Sequence, residues 1–135
     1  MGPCLEMILR LFLAAALGAA IGYQRERAGK LAGLRDHILI TVGAALFTVA
    51  SIFGFSGTVD TSRVAAGIVA GVGFIGAGVI FRGEEGVAGL TTAASIWVTA
   101  AIGLASGAGL YLVAVIVTLV TIGILTIPPV HKQRQ

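Results

Sequence analysis

Long uncharged runs separated by short charged punctuation set the pattern of this chain. Residues 38–59, 64–81 and 86–130 contain no Asp, Glu, Lys or Arg. A helix crosses the hydrocarbon of a bilayer with about 20 mainly apolar residues. The first two runs therefore read as one crossing each. The third is too long for one and breaks at "GLASGAG", residues 103–109, into two. A shorter apolar run at 11–24 is extended upstream past Arg10 by residues 5–9. The pattern predicts five helices, at about 5–23, 37–55, 64–82, 89–106 and 109–128. The runs are continuously apolar rather than alternating, which argues against a transmembrane β-barrel.

Composition strengthens the membrane reading. Charged residues make up 11% of the chain and hydrophobic ones 57%, with a mean hydropathy of +1.01; soluble domains carry about 25% charged residues. The expected architecture is an all-α membrane protein, a single transmembrane domain over 1–135 with no soluble C-terminal domain. A cleavable signal peptide is disfavoured at the N-terminus, because its cations should precede the apolar stretch. Here they follow it, and Glu6 stands ahead. One cysteine, Cys4, cannot form an intrachain disulfide.

Charge is concentrated in "YQRERAGKLAGLRDH", residues 23–37. The positive-inside rule accounts for the cations. With five spans and the 24–36 loop in the cytoplasm, Arg25, Arg27, Lys30, Arg35, Arg82, Lys132 and Arg134 lie inside, and only Arg10 and Arg63 outside. This orientation puts the N-terminus outside and the C-terminus in the cytoplasm. It leaves Glu26 and Asp36 unexplained. Asp36 is placed to cap the second helix, and Glu6 and Arg10 form an i, i+4 pair.

"GAAIGYQRERAGKLAGL" and "GAGVIFRGEEGVAGL" read alike, each running from small residues through an aromatic to Arg and Glu and closing on Ala-Gly-Leu. They suggest a parallel repeat of two hairpins, helices 1–2 and 3–4, plus a fifth helix. Helices 2 and 4 would then start on the cytoplasmic side beside Arg25, Glu26, Arg27, Arg35, Asp36 and Arg82. Helix N-termini and guanidinium groups together favour an anion, such as an anionic lipid headgroup, a phosphate compound or an acidic protein segment. The competing reading is that the acidic residues neutralise these cations locally.

No ionisable residue falls at mid-depth, so neither a Mg²⁺ cage of carboxylates nor a proton relay is visible. Hydroxyls do fall there. Thr91, Ser95 and Thr99 recur every four residues, Thr92 and the only tryptophan, Trp97, lie among them, and Thr41 and Thr48 share a face of helix 2 after His37. The seam could line a polar path, or its hydroxyls could bond their own helix carbonyls. His37 reads as a capping or interfacial residue rather than a metal ligand. There are 20 glycines, with GxxxG pairs at Gly18/Gly22, Gly67/Gly71 and Gly103/Gly107. Gly73, Gly76 and Gly78 add to helix 3. Close backbone approach is their expected return, with helix 3 central in the bundle or at a subunit interface, and a homodimer as the assembly. No metal site, cofactor, nucleic-acid partner or catalytic set is expected.

The segments "GAAIGYQRERAGKLAGLRDH", "VGAALFTVAS", "RVAAGIVAGVGFIGAGVIFR" and "GLTTAASIWVTAAIGLASGAGLY" resemble the MgtC/SapB family of bacterial inner-membrane proteins. The resemblance implies a five-span membrane domain with a cytoplasmic C-terminus. It also implies a link to magnesium limitation and virulence, and restraint of the rotary ATP synthase as a mode of action. It carries over Arg25, Glu26, Arg27, Arg35, Arg63, Arg82, Thr91, Thr92, Ser95 and Trp97 as candidates. This chain has Gly67 where many members have Gln, and longer members continue into a soluble domain. The alternative function is a dimeric transporter or channel for a small ion or solute.

Overall fold

The computed structural model describes residues 2–130, and Lys132 and Arg134 of the orientation argument lie outside them. Five helices form: α1 (Pro3–Arg27), α2 (Leu34–Phe53), α3 (Ser62–Ala77), α4 (Leu90–Gly107) and α5 (Tyr111–Leu125). Three of these, α1, α2 and α4, are long and apolar enough to cross a membrane. They pack together as the inner unit. On one flank α3 rests against α2 and α4, and on the other α5 rests against α1 and α4.

Local sequence sets each boundary. Pro3 opens α1 at a position where its missing N–H costs nothing, and Arg25 and Arg27 occupy the last turn, where cations suit the negative end of the helix dipole. Asp36 is not the N-cap of α2. The cap is Gly33, and Asp36 reaches back from the third helical position to accept the Gly33 N–H at 3.0 Å. Glu26 accepts the Leu34 N–H at 3.2 Å, so both carboxylates serve the start of α2. At the start of α3, Asp60 accepts the Ser62 N–H at 3.0 Å and its hydroxyl at 2.6 Å. These bonds hold the Asp60 carboxyl below the usual carboxylate range.

The third predicted span was set too long at its far end. It stops at Ala77, and residues beyond the Gly78 cap turn into a short antiparallel hairpin, β1 (Phe81–Gly83) and β2 (Gly86–Ala88). Glu84 and Glu85 form its tip, with Gly83 opposite Gly86. Gly89 then takes a left-handed φ of +90° to launch α4. The two segments that read alike therefore join their helices differently: a turn over 28–33 in one, a hairpin in the other. At the other end of the bundle Gly109, at φ +86°, turns the chain from α4 into α5.

Helix contact depends on glycine, but not on every glycine expected. A Cβ on Gly22 would sit 2.8 Å from the Leu34 Cα, and one on Gly107 2.6 Å from the Ala45 carbonyl oxygen. Gly18 and Gly103 are equally close to the Thr41 region of α2. These four bring α1 and α4 against α2, as small residues do in membranes. A Cβ on Gly67, Gly71 or Gly73 would meet nothing within 4 Å beyond its own helix, whereas one on Gly76 would touch Ala93 and Gly78 ends the helix. Helix α3 is thus peripheral, not central: among its residues only Ile68 and Gly76 are buried. Two small apolar clusters complete the packing, one around Ile21, Ile102 and Ala114, the other around Ala44, Ile68 and Ala100. Phe12, Leu39, Phe74 and Leu112 are all more than two-thirds exposed, as lipid-facing side chains are.

Arg10 does more than pair with Glu6. Its guanidinium donates to Glu6 at 2.6 Å, to the Gly107 carbonyl at 2.8 Å and to the Tyr111 hydroxyl at 3.0 Å. It also lies 5.2 Å from the centre of the Phe53 ring. One side chain therefore ties α1 to the ends of α2 and α4 and the start of α5.

Candidate functional site

The site follows from one face of α1. Gly18, Gly22 and Arg25 are spaced i, i+4 and i+7, so they line one side of the helix. The glycines bring the first turn of α2 close. That contact carries His37 inward and turns Arg25 toward the start of α4. Both are buried, Arg25 1% and His37 0% exposed.

Arg25 donates from Nη2 to the Thr92 hydroxyl at 2.6 Å. His37 Nδ1 lies 2.9 Å from the Gly33 carbonyl, and Nε2 lies 3.1 Å from Ser95 Oγ. Ser95 Oγ is also 2.7 Å from the Thr92 carbonyl. Protons can be assigned from these partners. A carbonyl only accepts, so Nδ1 carries hydrogen, and in the neutral ring Nε2 accepts from Ser95. Ser95 has one hydrogen to share between His37 and the Thr92 carbonyl. Arg25, Thr92, Ser95 and His37 therefore form one linked buried network across α1, α2 and α4. No carboxylate is paired with Arg25 among the described residues, and its Nε is buried without a hydrogen-bond partner. One turn deeper, Thr99 Oγ1 is also buried and unpartnered.

The expected intramembrane seam is thus divided. Thr41, Thr92, Ser95 and Thr99 are buried together, but Thr41 bonds its own helix at the His37 and Ile38 carbonyls. Thr91 stands half-buried on a neighbouring face. Trp97 leaves the seam altogether; it is 56% exposed, on the flank of α4 where it lines a hollow with Ile68 and Val72 of α3.

The charged cluster is divided as well. Arg25 is interior, whereas Glu26, Arg27, Arg35, Asp36 and Arg82 are exposed. Arg27 lies over the Tyr23 ring and donates to its hydroxyl at 3.0 Å. Arg82 sits on β1, opposite Val87, and the structure records no contact joining it to Arg25. No group of three His, Cys, Asp or Glu able to hold a metal occurs among the described residues.

Sequence reasoning missed the burial of Arg25 and the part played by His37. Both signals were present. Arg25 continues the Gly18/Gly22 face, and His37 lies one turn before Thr41, whose face packs on glycines of α1 and α4.

The MgtC family model matches residues 11–133. The chain is 47% identical over 129 residues to "Putative magnesium transporter YhiD" of Escherichia coli K12, covering 90% of this chain and 60% of that protein. It is 41% identical over 134 residues to Protein SrpB of Synechococcus elongatus, covering 90% and 74%. It is 47% identical over 108 residues to Protein MgtC of Brucella abortus, covering 80% and 45%. The chain therefore spans 60% of the E. coli protein and less than half of the Brucella one. No solved structure matches it.

Proposed function

The chain belongs to the MgtC family, and on that premise we propose that it is a non-catalytic bacterial inner-membrane protein that regulates another membrane complex by direct helix contact. The rotary ATP synthase is the candidate complex, and magnesium limitation and virulence are the setting that the family resemblance implies. One observation carries the reading. Gly43, Gly67 and Gly71 line an apolar groove of about 570 Å³ between α2 and α3, and a Cβ on any of the three would meet nothing within 4 Å outside its own stretch of helix. Each glycine costs a helix about 1 kcal/mol relative to alanine. Among the described residues nothing packs on these glycines to offset that cost, so close approach by a helix of the partner complex would supply the compensation.

The name of YhiD favours a second reading, transport of Mg²⁺. Against it, the buried network is cationic and has no carboxylate, and an internal guanidinium raises an electrostatic barrier to cations. Two measurements separate the readings. Co-purification of synthase subunits with the tagged protein should fall at least tenfold for Gly71→Leu, whose Cβ points into the open groove. Undiminished capture, or capture of a second copy alone, counts against the regulator. Proteoliposomes of the wild-type protein should show no Mg²⁺ flux above empty vesicles; flux abolished by Ser95→Ala would establish the transporter instead.

A further inference from the structure

We infer that the cleft beside Arg25 is a binding site for a phosphate-type oxyanion, separate from the groove assigned to the partner. The cleft, of about 550 Å³, lies where α1 ends, α4 begins and α5 ends. Its polar wall is Arg25, Lys30 and Thr91, and its apolar wall runs from Ile124 to Val130.

Three observations point to an anion. First, Arg25 is buried yet has no carboxylate partner among the described residues, and its Nε is unpartnered. A guanidinium removed from water and left uncompensated is unfavourable, and its fork matches phosphate oxygens. Second, the two acidic residues of the 23–37 segment are engaged elsewhere: Glu26 holds the Leu34 N–H and Asp36 the Gly33 N–H. Neither is spent on Arg25 or Lys30. Third, α4 starts at this wall with a glycine cap and no side-chain cap, so its first N–H groups and positive dipole end add to the two cations. The carbonyl end of α5 opposes this on the far side, with the Leu125 carbonyl accepting from Gln24 Nε2 at 3.4 Å. It is a partial dipole set against two full positive charges.

An apolar wall facing a cationic one suits a phosphate group carried on an apolar or neutral body. A phospholipid headgroup and a soluble phosphate compound share that chemistry. The experiment uses the full chain in nanodiscs. One arm compares retention of phosphatidylglycerol with phosphatidylcholine by native mass spectrometry. The other measures inorganic phosphate binding by calorimetry in phosphatidylcholine nanodiscs. Lys30→Gln and Arg25→Lys should each weaken whichever ligand binds at least tenfold, while Arg82→Gln and Arg27→Gln leave it within twofold. Lys30→Gln leaves the buried network intact, so a folding defect in the arginine variant does not obscure the result. Retained phosphatidylglycerol identifies a lipid site, and heat from phosphate a soluble-ligand site. Binding in neither arm, or equal loss in the Arg82 and Arg27 variants, overturns the inference.

Discussion

Arg10 and Arg25 sit on the same helix, and both are buried, but their surroundings differ completely. Arg10 has a carboxylate, a carbonyl, a hydroxyl and two aromatic faces. Among the described residues, Arg25 has one threonine hydroxyl. The first is therefore a structural tie and the second a charge in need of company. Replacing Arg10 by Ala strands the Gly107 carbonyl and leaves the Tyr111 hydroxyl only its 3.3 Å bond to Glu6. The expected loss is about 2 kcal/mol, in the range for hydrogen bonds to charged groups. It should be read as a lower midpoint in thermal unfolding of the detergent-solubilised protein. Arg10→Lys should recover little, because one ammonium nitrogen cannot reach the three acceptors that Nε, Nη1 and Nη2 reach from separate positions.

At the scale of helices, glycine divides into two populations that the sequence makes look alike. Gly103/Gly107 and Gly67/Gly71 are both GxxxG pairs, yet only the first pair is filled by a neighbour. Gly107→Ala should destabilise by about 1–3 kcal/mol, since the new methyl meets backbone. Gly71→Ala should be neutral or stabilise by up to about 1 kcal/mol through helix propensity. Denaturant or thermal unfolding of the two variants side by side tests this, and matching losses would contradict the placement of α3. What the sequence made legible follows the same division. Hydrophobic length specifies a helix, so all five were readable to within a few residues. Which face each helix buries depends on partners distant in sequence. The seam was therefore readable at Ser95 and Thr99, but not the outward turn of Trp97 or the inward turn of Arg25. The hairpin at 81–88 was hidden because its apolar Phe81 and Val87 prolong the hydropathy of their neighbours.

Over the whole molecule, charge asymmetry makes a statement about sidedness that the fold can express. The 28–33 turn and the 84–85 hairpin tip lie at one end of the bundle's helix order, and the 54–61 and 108–110 connections at the other. Impermeant thiol labelling of Cys4→Ser protein should modify Lys30→Cys only after the inner leaflet is breached, and Gly57→Cys in intact spheroplasts. The opposite result would reverse the orientation and move the proposed oxyanion site to the periplasmic face.

The two flanking helices have a consequence for the bilayer itself. With 16 and 15 residues, α3 and α5 span roughly 24 and 22 Å, against a hydrocarbon thickness of about 30 Å. Because they lie on opposite flanks of the longer three, lipid around the protein meets hydrophobic mismatch on both sides. Thinning the membrane costs a fraction of a kcal/mol per Å, and that cost falls when short helices from neighbouring molecules share one thinned patch. The protein would then gather where the bilayer is already thin, drawn by elasticity rather than by any specific contact.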